Sequence, residues 1–130
     1  MKKRALPLLL IKDILKLNNY EGLLKTVGKV TYISRLEENS FLKIKIVDEN
    51  SEILLRIYDT PKGFMYKIMR TISISDYVLV IGYLKYFASE PYGETSNNSN
   101  IYILVKALKR ISEERYHYYK LRYALNNPSK

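Results

Sequence analysis

The feature that most constrains the fold of this chain is a set of five β-like apolar runs, two of which alternate with a period of two residues. Between residues 41 and 47, Leu42, Ile44 and Ile46 face one way and the side chains between them, two lysines included, face the other. Such alternation is typical of a strand with one buried face. The turn-forming residues 48–51 separate this run from the next and predict a hairpin. The five predicted strands cover residues 23–34, 41–47, 53–58, 77–87 and 101–111.

Three other segments have helical spacing. Residues 8–17 form a short apolar pattern that ends at Asn18 and Asn19. A second helix is expected to begin at Pro61, between the third and fourth strands. The last helix, over residues 113–125, has two acids in its first turn, where the helix dipole favours negative charge. The buried stripe of the second helix is predicted to be Phe64, Met65, Ile68 and Met69.

The order of these elements predicts an all-β domain, a five-stranded β-barrel of the OB type. Gly28 within a long first strand predicts the strong bend that closing a small barrel requires. A five-stranded SH3-like barrel would lack the helix between the third and fourth strands. We therefore expect an OB barrel with an N-terminal extension over residues 1–112, and a C-terminal helix for subunit assembly, with a tail, over residues 113–130.

Positive charge is concentrated on the predicted strands. The chain carries 22 Lys and Arg against 13 Asp and Glu, a formal net charge of +9. The five runs contain neither Asp nor Glu, and their basic residues are Lys25, Lys29, Lys43, Lys45, Arg56, Lys85, Lys106, Lys109 and Arg110. Protection of strand edges by lysine explains one or two such residues more easily than this whole set. The pattern favours a polyanion lying across the strands.

Aromatic rings accompany these charges. Unpaired bases stack on aromatic side chains, at about 1–3 kcal/mol per base. Alternation places Phe41 and Tyr58 on the outward face, and Phe87 on the face of Lys85. A plainer alternative is that these strand-end rings cover the core. The predicted nucleic-acid-binding residues are Lys29, Phe41, Lys43, Lys45, Arg56, Tyr58, Lys85 and Phe87.

The last helix has two apolar stripes when it is projected at about 100° per residue. A helix that only covers its own barrel needs one stripe, so the second predicts contact with partner helices. Single exposed tyrosines are also tolerated on surfaces, which is the alternative reading. One stripe is Tyr118, Leu121 and Leu125, the other is Tyr116, Tyr119 and Tyr123, and all six are predicted to bind a partner.

Chemical signatures of an enzyme are absent from the sequence. It has no Cys, no phosphate-binding loop, no paired-His motif and no nucleophile beside a base. His117 stands alone and is no catalytic signature. We expect a binding protein without catalytic activity, cofactor or metal site. The apolar run after Arg4 ends at Lys12, which favours a cytoplasmic location and no membrane association.

Short motifs in order along nearly the whole chain resemble the middle subunit of replication protein A. They are IKDIL at residues 11–15, VGKV at 27–30, IYD at 57–59, DYVLVIGYLKYF at 76–87 and RYHYYKL at 115–121. A telomere-capping middle subunit, related to that family, shares the pattern and stays open as an alternative. The chain departs from the family by having no Trp. It also lacks the N-terminal tail and winged-helix domain of the eukaryotic forms, so a compact archaeal version, associated with the nucleoid, is expected.

The resemblance implies an OB barrel that contacts single-stranded DNA through strand aromatics. It also implies a C-terminal helix that joins other OB subunits in a heterotrimer. Phe87 matches the family's stacking aromatic on the fourth strand. The aromatic of the third strand falls on Ile57 or Tyr58, and alternation favours Tyr58.

The function expected from these observations is a single-stranded DNA-binding subunit of a replication-protein-A-like complex, acting in DNA replication, repair and recombination. One alternative is an OB scaffold that mainly mediates protein assembly through the last helix. Another is an RNA-binding OB module, since no residue pattern in the sequence reads a 2′-hydroxyl.

Overall fold

Five strands close into a barrel in the computed structural model, which describes residues 6–36, 41–58, 63–87 and 101–127. The strands are β1 (Leu23–Leu36), β2 (Phe41–Asp48), β3 (Ser51–Tyr58), β4 (Tyr77–Tyr86) and β5 (Ile101–Ile111), in the spatial order β1-β2-β3-β5-β4. The helices are α1 (Ile11–Ile14), α2 (Phe64–Thr71) and α3 (Glu113–Asn126). The predicted ring of five strands with a C-terminal helix is confirmed.

The long strand β1 closes the barrel because it pairs along both edges. Its first half pairs with β4, from Leu23 opposite Tyr83 to Lys29 opposite Tyr77. Its second half pairs with β2, as far as Leu36 opposite Phe41. Both pairings are antiparallel, and the register with β2 shifts between Val30 and Tyr32, as at a β-bulge.

The interior of the barrel is built from the inward positions of every strand. On β2 and β3 the fully buried side chains alternate along the strand, as the period of two predicts. The β2–β3 members of this core are Leu42, Ile44, Ile46, Ile53, Leu55 and Ile57. Helix α1 adds Ile11 and Ile14, both fully buried, and α2 adds Ile68. The side chains of Phe64, Met65 and Met69, and the predicted helix start at Pro61, lie outside the described residues.

The predicted N-terminal helix over residues 8–17 is too long. Helix α1 has only four residues, and the segment before it is extended alongside β1. The amide of Lys25 donates to the carbonyl of Pro7, and the amide of Leu9 donates to the carbonyl of Lys25, both over 3.0 Å. These bonds pair the backbone at an edge of β1 that β2 does not cover, since β2 pairs only from Lys29 onward.

Gly82 on β4 leaves no room for a side chain beside β5. A Cβ at this position would lie 2.3 Å from the carbonyl oxygen of Leu104 on β5 and 2.7 Å from Cγ2 of Ile103. The β4–β5 register shifts between Ile81 and Gly82. Gly28 on β1 is less tight, because an added Cβ would meet Ile46 and Val47 at 3.1 Å. Only glycine therefore fits at Gly82 without backbone movement.

Replacing Gly82 with Ala should lower the free energy of unfolding by about 3 kcal/mol, since overpacking against backbone cannot be relieved by a side-chain rotation. The matched variant Gly28→Ala should cost about 1 kcal/mol, because its neighbours are mainly side-chain atoms. Urea unfolding followed by circular dichroism measures both values. Equal losses in the two variants would contradict the packing described for β4 and β5.

Candidate nucleic-acid and partner interfaces

Outward side chains of β2 and β3 form the first part of a charged, aromatic surface. Lys43 lies directly opposite Arg56 in the antiparallel pairing, and the neighbouring pair is Phe41 with Tyr58. Opposite residues on one face of a sheet have Cβ atoms about 4.5–5.5 Å apart. The hairpin therefore brings together residues that are up to 17 positions apart in the chain.

The surface continues across β5 to β4. Strand β3 pairs in parallel with β5, and β5 pairs with β4, so outward residues line up in rows around the barrel. One row is Lys45, Leu54, Tyr102 and Lys85, and the next is Lys43, Arg56, Leu104 and Tyr83. We call Lys43, Lys45, Arg56, Tyr58, Tyr83, Lys85, Phe87 and Tyr102 the aromatic–cationic face. Tyr32 adjoins it, since Tyr32 pairs with Lys45.

Arg56 packs against two rings at the centre of this face, and the two rings also contact each other. Its guanidinium carbon lies 4.9 Å from the ring centroid of Phe87 and 4.6 Å from that of Tyr102. The two rings are themselves 4.9 Å apart and tilted by 41°. Each cation–π contact of this kind contributes about 0.5–2 kcal/mol. The guanidinium is thus fixed in position while all three side chains stay half-buried.

Other rings of the face are open to solvent. Tyr58 is 42% exposed and Tyr83 is 37% exposed, while the adjoining Tyr32 is 44% exposed. Lysine ammonium groups lie near two of these rings, Lys45 at 5.4 Å from Tyr32 and Lys85 at 5.7 Å from Tyr83. Exposed rings with cations nearby suit a single strand, because bases stack on the rings and phosphates pair with positive charge.

The structure brings together six of the eight residues that the sequence assigned to nucleic-acid binding: Lys43, Lys45, Arg56, Tyr58, Lys85 and Phe87. The backbone of Phe41 pairs with Tyr58, and its side chain lies outside the described residues. Lys29 pairs with Val47 at the border of this group, and its role in binding stays a prediction. Its ammonium group lies 5.8 Å from the ring of Tyr77, which packs on Tyr116 of α3. Lys29 therefore lies beside the C-terminal helix.

Three rings were missed by the sequence analysis. Tyr83 and Tyr102 alternate with buried residues and could have been found from the period of two. Tyr32 could not, because without the bulge after Val30 its side chain would point into the barrel.

The observed strands also contain two acids that the shorter predicted runs did not. Glu52, near the start of β3, is exposed. Asp48 ends β2 and is only 4% exposed, so its carboxylate needs partners. These partners come from α3, which begins with the side chain of Ser112 accepting a hydrogen bond from the amide of Arg115 over 3.0 Å.

A polar cluster fastens α3 to the barrel. The Tyr116 hydroxyl donates to the carboxylate of Asp48, and Lys120 Nζ lies 2.8 Å from both Asp48 Oδ1 and Glu49 Oε2. Burial, and then the Asp48 carboxylate, raise the pKa of Tyr116. Burial alone would lower the pKa of Lys120, but its bonds to Asp48 and Glu49 raise it above the ordinary value. The same bond to Lys120 lowers the pKa of Glu49.

A second polar contact lies about two helical turns further along α3. The Tyr123 hydroxyl donates to the carboxylate of Asp13 in α1, and this bond, with burial, raises the pKa of Tyr123 to about 12. A raised phenol pKa means that the folded protein favours the protonated ring. This stabilisation is complete below pH 10 and is lost as the pH rises through about 12.

The assignment of Tyr116 to a partner interface was wrong, since its side chain is 6% exposed and packs 4.5 Å from the ring of Tyr77. Tyr119 and Tyr123 of the same stripe are half-buried. The other stripe is open: Tyr118 is 47% exposed, Leu121 56% and Leu125 66%. The two stripes of α3 therefore differ, one lying on its own barrel and the other facing solvent. Whether the solvent-facing stripe binds a partner stays a prediction.

His117 makes local contacts within α3, with Nε2 3.6 Å from the carboxylate of Glu113 one turn earlier and its ring 5.1 Å from that of Tyr116. No group of three or more potential metal ligands occurs within the described residues. Among the helices of the described segments, none is long and apolar enough to span a membrane.

The barrel, its strand order and α3 together define an OB-fold chain. No protein-family model and no curated protein matches it. Among solved structures it is similar to a chain of the S. pombe Stn1–Ten1 complex, with a TM-score of 0.70, 16% identity, and 95% of this chain and 93% of that chain covered. It is also similar to a chain of a replication protein A heterotrimer bound to single-stranded DNA, with a TM-score of 0.54, 22% identity and coverage of 77% and 66%.

A third similar structure is an aspartyl-tRNA synthetase, described as putative, from Leishmania major Friedlin. Its TM-score is 0.66 at 12% identity, and the match covers 86% of this chain and 22% of the synthetase. Because the sequence identities are below 25%, these structural similarities show only that the chain shares the fold.

Removing the Asp48 carboxylate should loosen α3. We expect Asp48→Ala to lower the free energy of unfolding by roughly 2–3 kcal/mol, below the range for fully buried pairs because the Lys120 ammonium can turn to water. Glu49→Ala removes an exposed partner of the same lysine and should cost less than about 1 kcal/mol. Hydrogen exchange of the α3 amides, measured with urea unfolding, checks both. Similar exchange rates in the two variants would contradict the role given to Asp48.

Proposed function

We propose that this chain is a single-stranded DNA-binding subunit of a replication-protein-A-like heteromeric complex, acting in DNA replication, repair and recombination. The observation that carries the proposal is the aromatic–cationic face, where four cations and four rings lie on adjacent strands. Its chemistry is that of binding, with no catalytic step, cofactor or metal of its own. We propose that it acts in the cytoplasm and, if it is archaeal, at the nucleoid.

The arrangement suits a flexible strand better than a duplex. Rings that lie open on a barrel surface offer stacking to bases that are not paired, and every base has a π-face. Cations between the rings match phosphates along the backbone. Arg56 is held against two rings, so little side-chain freedom is lost when a phosphate or base reaches it.

Two comparisons support the proposal. One similar structure is a replication protein A heterotrimer bound to single-stranded DNA. The Stn1–Ten1 match extends over nearly the whole of both chains, α3 included, so the likeness reaches beyond the barrel. Both are complexes of several chains, which agrees with a subunit role.

A second function, assembly of a protein complex, is favoured by the exposed stripe of α3. Tyr118, Leu121 and Leu125 are spaced by three and four residues, the spacing of a helix seam. Together they expose an apolar surface to solvent on the side of α3 that does not pack on the barrel. Assembly is compatible with DNA binding, because the stripe and the aromatic–cationic face belong to different elements.

The salt dependence of binding tests the aromatic–cationic face. For an oligonucleotide of about 6 nucleotides, four neutralised phosphates predict a slope of about −3 for log affinity against log salt. Lys43→Ala should reduce the steepness by about 0.7, the value for one contact with a single strand. Fluorescence anisotropy of labelled oligo-dT measures the slope. A slope near zero would falsify the proposal.

The stacking role of the rings is tested by conservative and non-conservative exchange. Tyr58→Leu should weaken binding of the short oligonucleotide by about 1–3 kcal/mol, because a base loses its ring platform. Tyr58→Phe keeps the ring and should retain nearly the full affinity. Anisotropy titrations with DNA and RNA of the same sequence give both effects, and tighter binding of the RNA would favour the RNA-binding alternative. Equal affinities for the Leu and Phe variants would exclude stacking at Tyr58.

The assembly role is tested by adding charge to the exposed stripe. Leu121→Glu combined with Leu125→Glu should abolish association with the cognate larger subunit in sedimentation velocity, since carboxylates cannot enter an apolar seam unpaired. Asn126→Glu, on another side of α3, is the matched control and should assemble normally. Assembly by the double variant would show that this stripe is not the interface. Loss of assembly together with unchanged, weak DNA binding would favour the scaffold alternative.

A further inference from the structure

A groove of about 310 Å³ lies between α3, β1 and the extended segment before α1. Lys25 of β1 and Leu8 of the extended segment form one side, and α3 forms the other. Volumes of small-molecule pockets range from roughly 300 to 1,000 Å³, so this one suits a unit of about the size of a nucleotide. The α3 side chains that matter here are Tyr118, Tyr119, Arg122 and Tyr123.

The lining repeats the chemistry of the aromatic–cationic face. Three tyrosines and two cations line the groove, and among the described residues that line it there is neither Asp nor Glu. Arg122 is positioned by Tyr118, because its Nη1 donates to the Tyr118 hydroxyl over 2.8 Å and its guanidinium lies 5.8 Å from that ring. The carboxylate of the nearby Asp13 already accepts a hydrogen bond from the Tyr123 hydroxyl. The groove therefore presents fixed positive charge beside flat rings.

The groove adjoins the aromatic–cationic face along β1. Leu23 of β1 lies directly opposite Tyr83, and Lys25 is the next residue of β1 on the same side. Lys25 is thus a diagonal neighbour of Tyr83, at a distance of about 7–8 Å. A strand that leaves the face past Tyr83 reaches the groove within one or two nucleotides.

We propose that this groove binds a further nucleotide of the same single strand, with Lys25 and Arg122 at its phosphates and an α3 tyrosine against its base. The inference rests on the proposed function and extends it, since it makes α3 part of the DNA path as well as a candidate partner surface. Two anion-binding groups, with no acid among the described lining residues, favour a polyanion over an apolar or basic peptide.

Oligonucleotides of two lengths separate the groove from the face. The affinity is measured for oligo-dT of about 6 and about 15 nucleotides, both within the range of roughly 4–16 nucleotides that one OB fold binds. In the wild-type protein the longer strand should have a salt slope steeper by about 1.4, for two added phosphate contacts. Arg122→Ala should lose about half of this difference and weaken only the longer strand. Arg110→Ala, an exposed arginine of β5 that does not line the groove, is the matched control and should change neither.

The outcomes distinguish the two proposals. If Arg122→Ala binds both lengths like the wild type while Arg56→Ala weakens both, the groove is not on the path and the proposed function stands. If Arg56→Ala also leaves both lengths unchanged, the proposed function fails and the inference fails with it. Loss for the longer strand in Arg122→Ala but not in Arg110→Ala supports the groove. Circular dichroism of each variant shows that the exposed substitutions leave the fold intact.

Discussion

Pairing of β1 along both of its edges is the interaction on which the rest of the structure depends. The strand joins β4 through its first half and β2 through its second half, so the five strands meet in a ring. Gly28 lies near the change from one partner to the other, where an added Cβ would be 3.1 Å from Ile46. The bulge that follows Val30 turns Tyr32 outward beside Lys45. The same irregularity that bends the strand therefore also shapes the surface.

Closure of the barrel converts separate sequence segments into one face. Arg56 and Tyr102 come close only because β3 pairs in parallel with β5, across a long stretch of intervening chain. Phe87 reaches the same guanidinium from the end of β4. In a flat sheet with β4 beside β3 these three side chains would not share a neighbour in this way. The face is thus a property of the strand order as much as of the residue types.

Most of the fold could be predicted from the sequence, because alternation in β2 and β3 is regular and their hairpin is local. The position of the Lys29 side chain could not be predicted, because it depends on how α3 packs. This packing places Tyr116 against Tyr77, whose ring lies near the Lys29 ammonium group. The length of α1 was overestimated because the segment around Leu8 has helical spacing, yet its backbone pairs with Lys25. Tertiary pairing overrides local spacing in such short segments.

The acids that fasten α3 also affect the electrostatics of the barrel. Asp48 ends β2, three positions beyond Lys45, the nearest cation of the aromatic–cationic face on that strand, or about 10 Å away along it. That distance is about one Debye length near physiological salt. Lys120 also neutralises charge on Asp48 and Glu49 locally. The helix can therefore be held by carboxylates with little loss of the attraction between the aromatic–cationic face and phosphates. The same protein can then use acidic residues for its own packing and basic residues for a polyanion.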